Sequence, residues 1–239
     1  MTVKPSTGPP ARQPRWGGSP QAPFDSADSP SGLGFAQGRL KPTGHLIAFE
    51  GLDQSGKQTQ AERLLAAFRA GGHRAEFLTF PEYKTAIGTE IGHALQGERD
   101  YAPDTLQLLY IANRFEFRPR ISSWLDEGTM VVCDRYLASS IAYGEAQGVD
   151  PHWLSAIQRH LPQPSLTLLL DIPPDASLHR KKVARDKFER DLSLLGRVRE
   201  SYVRQAKEGV RWVHLDGQQD KDAVSAAVLS AVRSQLGLL

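Results

Sequence analysis

Five short apolar runs, separated by stretches with helical periodicity, predict an α/β fold. A five-stranded parallel sheet would be covered by helices on both faces, because strands that are apolar along their whole length need two buried faces. The first run passes directly into a glycine-rich turn and then a helix, the opening of a nucleotide-binding α/β unit. The first forty or so residues stand apart. Eight of the chain's 16 prolines lie at or before Pro42, mixed with Gly, Ser and Ala. Such a segment buries too little apolar surface to offset the entropy of ordering. It reads as a disordered tail over 1–43, with a folded domain over 44–239.

The elements follow in order. Leu46 to Phe49 is a short buried strand. Thr59 to Ala70 has helical spacing in Leu64, Leu65 and Phe68 and closes at Gly71-Gly72, a helix-stop signal. Ala75 to Phe80 is a second strand. Asp104 to Leu125 is a long helical stretch in which Pro119 predicts a kink. Met130 to Cys133 is the third strand, and short helices follow over Ala138 to Gln147 and Trp153 to His160. Leu166 to Leu170 is the fourth strand, and Pro173-Pro174 opens the next helix. A basic segment over 180–190 leads into a helix ending near Glu208. Trp212 to Leu215 is the fifth strand and Ala223 to Leu236 the last helix.

Composition narrows the function classes. With 29 basic and 27 acidic residues, net charge +2, nothing suggests a nucleic-acid groove or a membrane surface. No apolar stretch approaches the roughly 20 residues of a membrane span, and no signal-type segment opens the chain. The single cysteine, Cys133, reads as a buried strand thiol and allows no intrachain disulfide, as expected of a reducing cytoplasm. The histidines show no metal-ligand spacing, so no transition-metal site is expected.

The chemistry is carried by three constellations. Gly51-Leu52-Asp53-Gln54-Ser55-Gly56-Lys57-Gln58-Thr59 has P-loop spacing: the glycines permit a tight turn whose N–H groups face phosphate oxygens, the following helix offers its positive end, and Lys57 reaches the β- and γ-phosphates. The usual hydroxyl after the lysine is replaced by Gln58. Either Gln58, directly or through water, or Thr59 would meet Mg²⁺ in its place. Asp134, ending the third strand, can hold the Mg²⁺ water shell, and Arg135 can clamp a phosphate in a bidentate fork. The run from Arg180 to Arg190 reads as a short closing lid that brings cations to the transferring group and excludes water. Arg180, Lys182 and Arg185 are its candidate transition-state cations. Asp171, another acidic strand end, reads as structural.

From Leu46 onward these residues together resemble the thymidylate kinase family. Phe49-Glu50-Gly51-Leu52-Asp53 with Gly56-Lys57 is similar to the family's P-loop. Phe80-Pro81-Glu82-Tyr83, Tyr110-Ile111-Ala112-Asn113-Arg114, Asp134-Arg135-Tyr136 with Ser139-Ser140 and Tyr143, and Asp186-Lys187-Phe188-Glu189 match its later motifs in order. The resemblance implies a P-loop NTPase-type three-layer sandwich and the transfer of the γ-phosphoryl group of ATP to dTMP, with Mg²⁺, in dTTP synthesis by a cytoplasmic homodimer. It implies that Arg114 bonds the thymine, Tyr110 stacks on it, and Ser140 reads its edge. Tyr143 would lie against the deoxyribose, and Phe80, Pro81 and Tyr83 would line the acceptor site near its phosphate. Asp53 would meet the sugar and order Arg135, which bridges acceptor phosphate and transferring group. Asp216 would line the adenine pocket. The rival expectations are a P-loop kinase for another nucleotide or nucleoside, and a nucleotide-binding module without turnover.

Overall fold

The computed structural model describes residues 43–180 and 191–239. The expected tail, apart from its last residue, and the lid cations Lys182 and Arg185 lie outside the described residues.

Strands β1 (Leu46–Glu50), β2 (Ala75–Thr79), β3 (Met130–Asp134), β4 (Leu166–Asp171) and β5 (Trp212–Asp216) form one sheet in the order β2-β3-β1-β4-β5. Every pairing is parallel. β1 is central, with Ile47 opposite Val132 on one side and Leu166 on the other. All five of its residues are buried, as a strand covered on both faces requires. The period of two divides them between layers. Ile47 and Phe49 pack with Leu64 and Phe68 of helix α1 (Lys57–Ala70) and with Val224 and Val228 of α8 (Lys221–Leu236). Leu46 and Ala48 face the opposite layer with Val131, Cys133 and Ile121 of α3 (Pro103–Asp126). A third cluster joins Leu169 to Ala138 and Ala142 of α4 (Leu137–Ala146) and to Val198 and Tyr202 of α7 (Leu192–Glu208). The remaining helices are α2 (Ala86–Gln96), α5 (Pro151–Gln158) and α6 (Pro174–Arg180). The result is the expected three-layer α/β architecture.

Two local readings are corrected. Helix α2 was not expected from the sequence. Gly88 and Gly92 lower its intrinsic propensity, but Thr85 caps its start by accepting from the Gly88 N–H, and Ile91 and Ala94 bury its inner face. Gly88 is required by packing, since a Cβ there would lie 1.8 Å from the Glu82 carbonyl oxygen. Helix α1 starts at Lys57, two residues earlier than Thr59. Helix α3 runs as one element with Pro119 inside it.

Candidate active site

The carboxyl ends of β1, β3 and β4 converge on the glycine-rich turn after β1. Gly51 has φ 135°, and a Cβ on it would sit 2.3 Å from the Leu170 carbonyl oxygen, so β4 closes against the turn. Gly56 has φ 95° and begins α1 without any side-chain cap. The first N–H groups of that helix are thus left for an anion. Lys57 is buried and donates from Nζ to the Leu52 carbonyl at 2.7 Å. Burial and the charge of Arg135 push its pKa down to about 8, against the opposing pull of Asp134, Asp53 and Glu50. The Ser55 hydroxyl and Asp134 Oδ1 are buried without hydrogen-bond partners among the described residues. Gln58 turns outward and donates to Glu62 at 2.9 Å. Arg180, ending α6, donates to the carbonyls of Gln54 (3.1 Å) and Gly217 (3.3 and 3.2 Å), which ties the turn to the loop after β5. Asp216 opens that loop by accepting from the Gln218 N–H at 2.8 Å.

Arg135 is the hub beside this turn. Its Nη2 donates to Asp53 Oδ1 at 2.6 Å, and its Nη1 to the Gly51 carbonyl (3.2 Å), Ser139 Oγ (3.1 Å) and the Tyr202 hydroxyl (3.1 Å). Its φ of 62° and the φ of 61° at Gln54 are left-handed values that a non-glycine residue holds at a cost of about 1–3 kcal/mol each. Burial would raise the Asp53 pKa, but the charges of Arg135 and Lys57 and hydrogen bonds from Arg135 and Tyr143 hold it well below the usual carboxylate range. Behind Arg135 lies Glu50, fully buried. It accepts from the Tyr136 N–H (2.8 Å), Ser139 Oγ (2.6 Å) and the Tyr202 hydroxyl (3.3 Å).

A cleft opens from Asp53 and Arg135. Phe80, Pro81, Tyr83, Tyr110, Arg114, Ser140 and Tyr143 line it as well. Arg114 is 2% exposed, and burial lowers its pKa. Its Nη1 donates to Ser140 Oγ at 2.8 Å and to the Tyr110 carbonyl at 3.3 Å. Its guanidinium carbon lies 5.9 Å from the centre of the Phe80 ring. The cleft can therefore take a flat polar ring at the Arg114 end and an anion at the Arg135 end. All nine residues expected around the acceptor line it, from three separate stretches of sequence plus the P-loop.

Leu95, Gln107 and Ser139 also line the cleft and were missed. Leu95 belongs to the unexpected helix α2. Gln107 could have been found, since it lies three and seven residues before Tyr110 and Arg114, on the same helical face. Glu50 and Tyr202 were missed as supports. Tyr202 carried no local signal, being one buried aromatic on an amphipathic helix. Asp171 pairs with Arg199 at 2.6 Å and with His214 at 3.0 Å, at the end of β4.

Comparison with known proteins gives a consistent picture. A family model described as thymidylate kinase matches residues 49–228. The chain is 36% identical to a thymidylate kinase of Arabidopsis thaliana over 167 residues, 70% of this chain and 63% of that protein. It is 31% identical to one of Schizosaccharomyces pombe over 193 residues, 79% of this chain and 91% of that protein. Among solved structures it is similar to thymidylate kinase from Candida albicans, with a TM-score of 0.69, 27% identity, and coverage of 80% of this chain and 92% of that one.

Proposed function

The chain belongs to the thymidylate kinase family, and from that premise we propose that it transfers the γ-phosphoryl group of ATP to dTMP, giving ADP and dTDP. The carrying observation is that one cleft joins a buried guanidinium–hydroxyl pair, Arg114 and Ser140, to the Asp53–Arg135 pair beside the Lys57 turn. Thymine would stack on Tyr110 and bond Arg114, its sugar would lie along Tyr143, and its phosphate would face Arg135. ATP phosphates would occupy the turn from Gly51 to Thr59, with Lys57 on the β- and γ-oxygens and Asp216 beside the adenine.

Phosphoryl transfer asks the protein for alignment and charge. Arg135 would supply both at the meeting point, with its orientation fixed by Asp53, Ser139 and Tyr202. Arg180, Lys182 and Arg185 would add cations, the latter two from the proposed lid over 180–190. Mg²⁺ fits the donor set. Asp134 Oδ1 is buried and unpartnered at the end of β3, while no group of three or more His, Cys, Asp or Glu side chains that could hold the ion alone exists among the described residues. Asp134 would hold it through water, and when bound the ion would neutralise developing phosphate charge. Leu108 of α3, 45% exposed, supports a homodimer through that helix. The buried free thiol of Cys133 supports a cytoplasmic setting. The first 43 residues are proposed as a tail outside the kinase domain.

The test is ADP release from ATP with a panel of nucleoside monophosphates and thymidine. The expected result is dTMP as best acceptor. A higher kcat/KM for dCMP, UMP or thymidine would overturn the acceptor assignment. ATP binding without turnover of any acceptor would overturn the reaction itself.

A further inference from the structure

Gln107 is a buried polar residue that the folded chain leaves unsatisfied. It is 1% exposed, and its Oε1 has no hydrogen-bond partner among the described residues. A buried amide left in that state costs about 1–3 kcal/mol, and native interiors leave few of them. Gln158 Oε1 shares this state among the described residues, but Gln107 is the one that lines the cleft. Gln107 lines the cleft with Arg114 and Ser140 and shares a face of α3 with Tyr110 and Arg114. Gly144 of α4 lies beside it: a Cβ there would stand 3.1 Å from Gln107 Cγ and 2.4 Å from Leu154 Cδ1. The side chain is therefore closely packed on the α4 side, while Gln107 also lines the cleft. Arg114 Nε, on the same wall, is likewise buried and unpartnered among the described residues.

An unpaired acceptor and an unpaired donor lining one cleft select a ligand edge of the opposite pattern. Arg114 only donates, so it requires a ring carbonyl. The Gln107 amide, turning about its last side-chain bond, can present Oε1 to a ring N–H adjacent to that carbonyl. Thymine and uracil carry this carbonyl–imide sequence at O4 and N3. Cytosine carries the reverse, an amino group and a bare ring nitrogen; its amino group would meet the donors of Arg114, so the ring would not be seated where the Gln107 amide could turn to pair with it. We propose that Gln107 is a specificity-determining residue of the acceptor site, pairing with the imide N–H of a thymine or uracil base beside Arg114. The proposal rests on the acceptor reading above.

The test compares wild type with Gln107→Leu, using dTMP and 5-methyl-dCMP, two acceptors that differ only on the edge in question. The expected loss in kcat/KM for dTMP is about 10–100-fold. The value for 5-methyl-dCMP should change by less than about threefold, so discrimination narrows. A second readout is the melting temperature without ligands, which should stay level or rise because an unpaired buried amide has been removed. Unchanged dTMP turnover, or parallel losses for both acceptors, would overturn the proposal. So would a fall in the ligand-free melting temperature or a failure to fold, either of which would assign Gln107 to the core. A wild type that does not turn over dTMP would instead refute the acceptor reading, and that result appears before any variant is made.

Discussion

Replacing Tyr202 with Phe removes one oxygen and leaves the ring in place, so its effect can be worked from the contacts. The hydroxyl accepts from Arg135 Nη1 at 3.1 Å, donates to Glu50 at 3.3 Å and meets Ser139 Oγ at 2.8 Å, all in the interior. No charged group is stranded by the change. Arg135 keeps Asp53, Gly51 and Ser139, and Glu50 keeps Ser139 and the Tyr136 N–H. The loss is therefore that of hydrogen bonds to charged groups with their other partners retained, at the low end of about 1.5–3 kcal/mol. If all of it served only to hold α7 on the sheet, it would appear in stability alone. If the hydroxyl also fixes the guanidinium in the transfer geometry, kcat should fall about tenfold, since about 1.4 kcal/mol is a factor of ten. The KM for ATP should stay near its wild-type value, because Lys57 and the turn are untouched. Steady-state kinetics with both substrates, beside urea unfolding, separates the two cases. A lowered unfolding midpoint with wild-type kcat would refute the positioning role and leave Tyr202 as a packing residue.

Two further outcomes follow from the phosphate turn. Lys57 has a pKa lowered from 10.5 to about 8. Between those values the unfolded chain holds the proton that the folded chain has released, so ligand-free stability should rise with pH across that window. Bound phosphates favour the charged form, so ATP binding at pH 8.5 should take up roughly three quarters of a proton. Calorimetry in buffers of different ionisation enthalpy reads this uptake, and equal uptake by Lys57→Met would refute it. Glycine substitutions should separate crowding from backbone strain. Gly56→Ala meets nothing within 4 Å and carries only the strain of φ 95°, about 1–2 kcal/mol. Gly51→Ala adds a Cβ 2.3 Å from the Leu170 oxygen and should cost clearly more, along with ATP affinity. Identical melting temperatures for the two variants would count against the close approach of β4.

What the sequence disclosed was whatever is encoded within a few residues. The five strands are short continuous apolar runs, and the turn from Gly51 to Lys57 concentrates glycines and a lysine at a fixed spacing, so both could be read locally. The acceptor residues were legible only through resemblance, because Phe80, Tyr110 and Tyr143 look like ordinary core aromatics until the sheet brings their elements together. Helix α2 was hidden because its glycines serve packing against the Phe80–Tyr83 segment, a tertiary reason that overrides propensity. Glu50 was quoted within a motif but not assigned a task. Its partners Tyr136, Ser139 and Tyr202 lie 86, 89 and 152 residues away in sequence.

Several departures from local rule meet at the phosphate turn and the cleft, although others, such as the buried Gln158 Oε1 and the φ of 77° at Leu239, lie elsewhere. Two non-glycine residues with left-handed backbone, Gln54 and Arg135, a buried lysine with a depressed pKa, and a buried amide without a partner all lie on the rim formed by the strand carboxyl ends and the cleft beside it. Each costs the free chain stability, and each would be relieved by the same kind of event: phosphate oxygens meeting Lys57 and Arg135, and a ring edge meeting Gln107. The sheet can hold these costs because β1, β3 and β4 are continuous apolar strands buried on both faces. A fold whose conflicts cluster where ligand charge and polarity would resolve them is one whose stability has been traded locally for binding. Arg135 is held by Ser139 and Tyr202, which also bond Glu50, and its remaining face would meet the substrate.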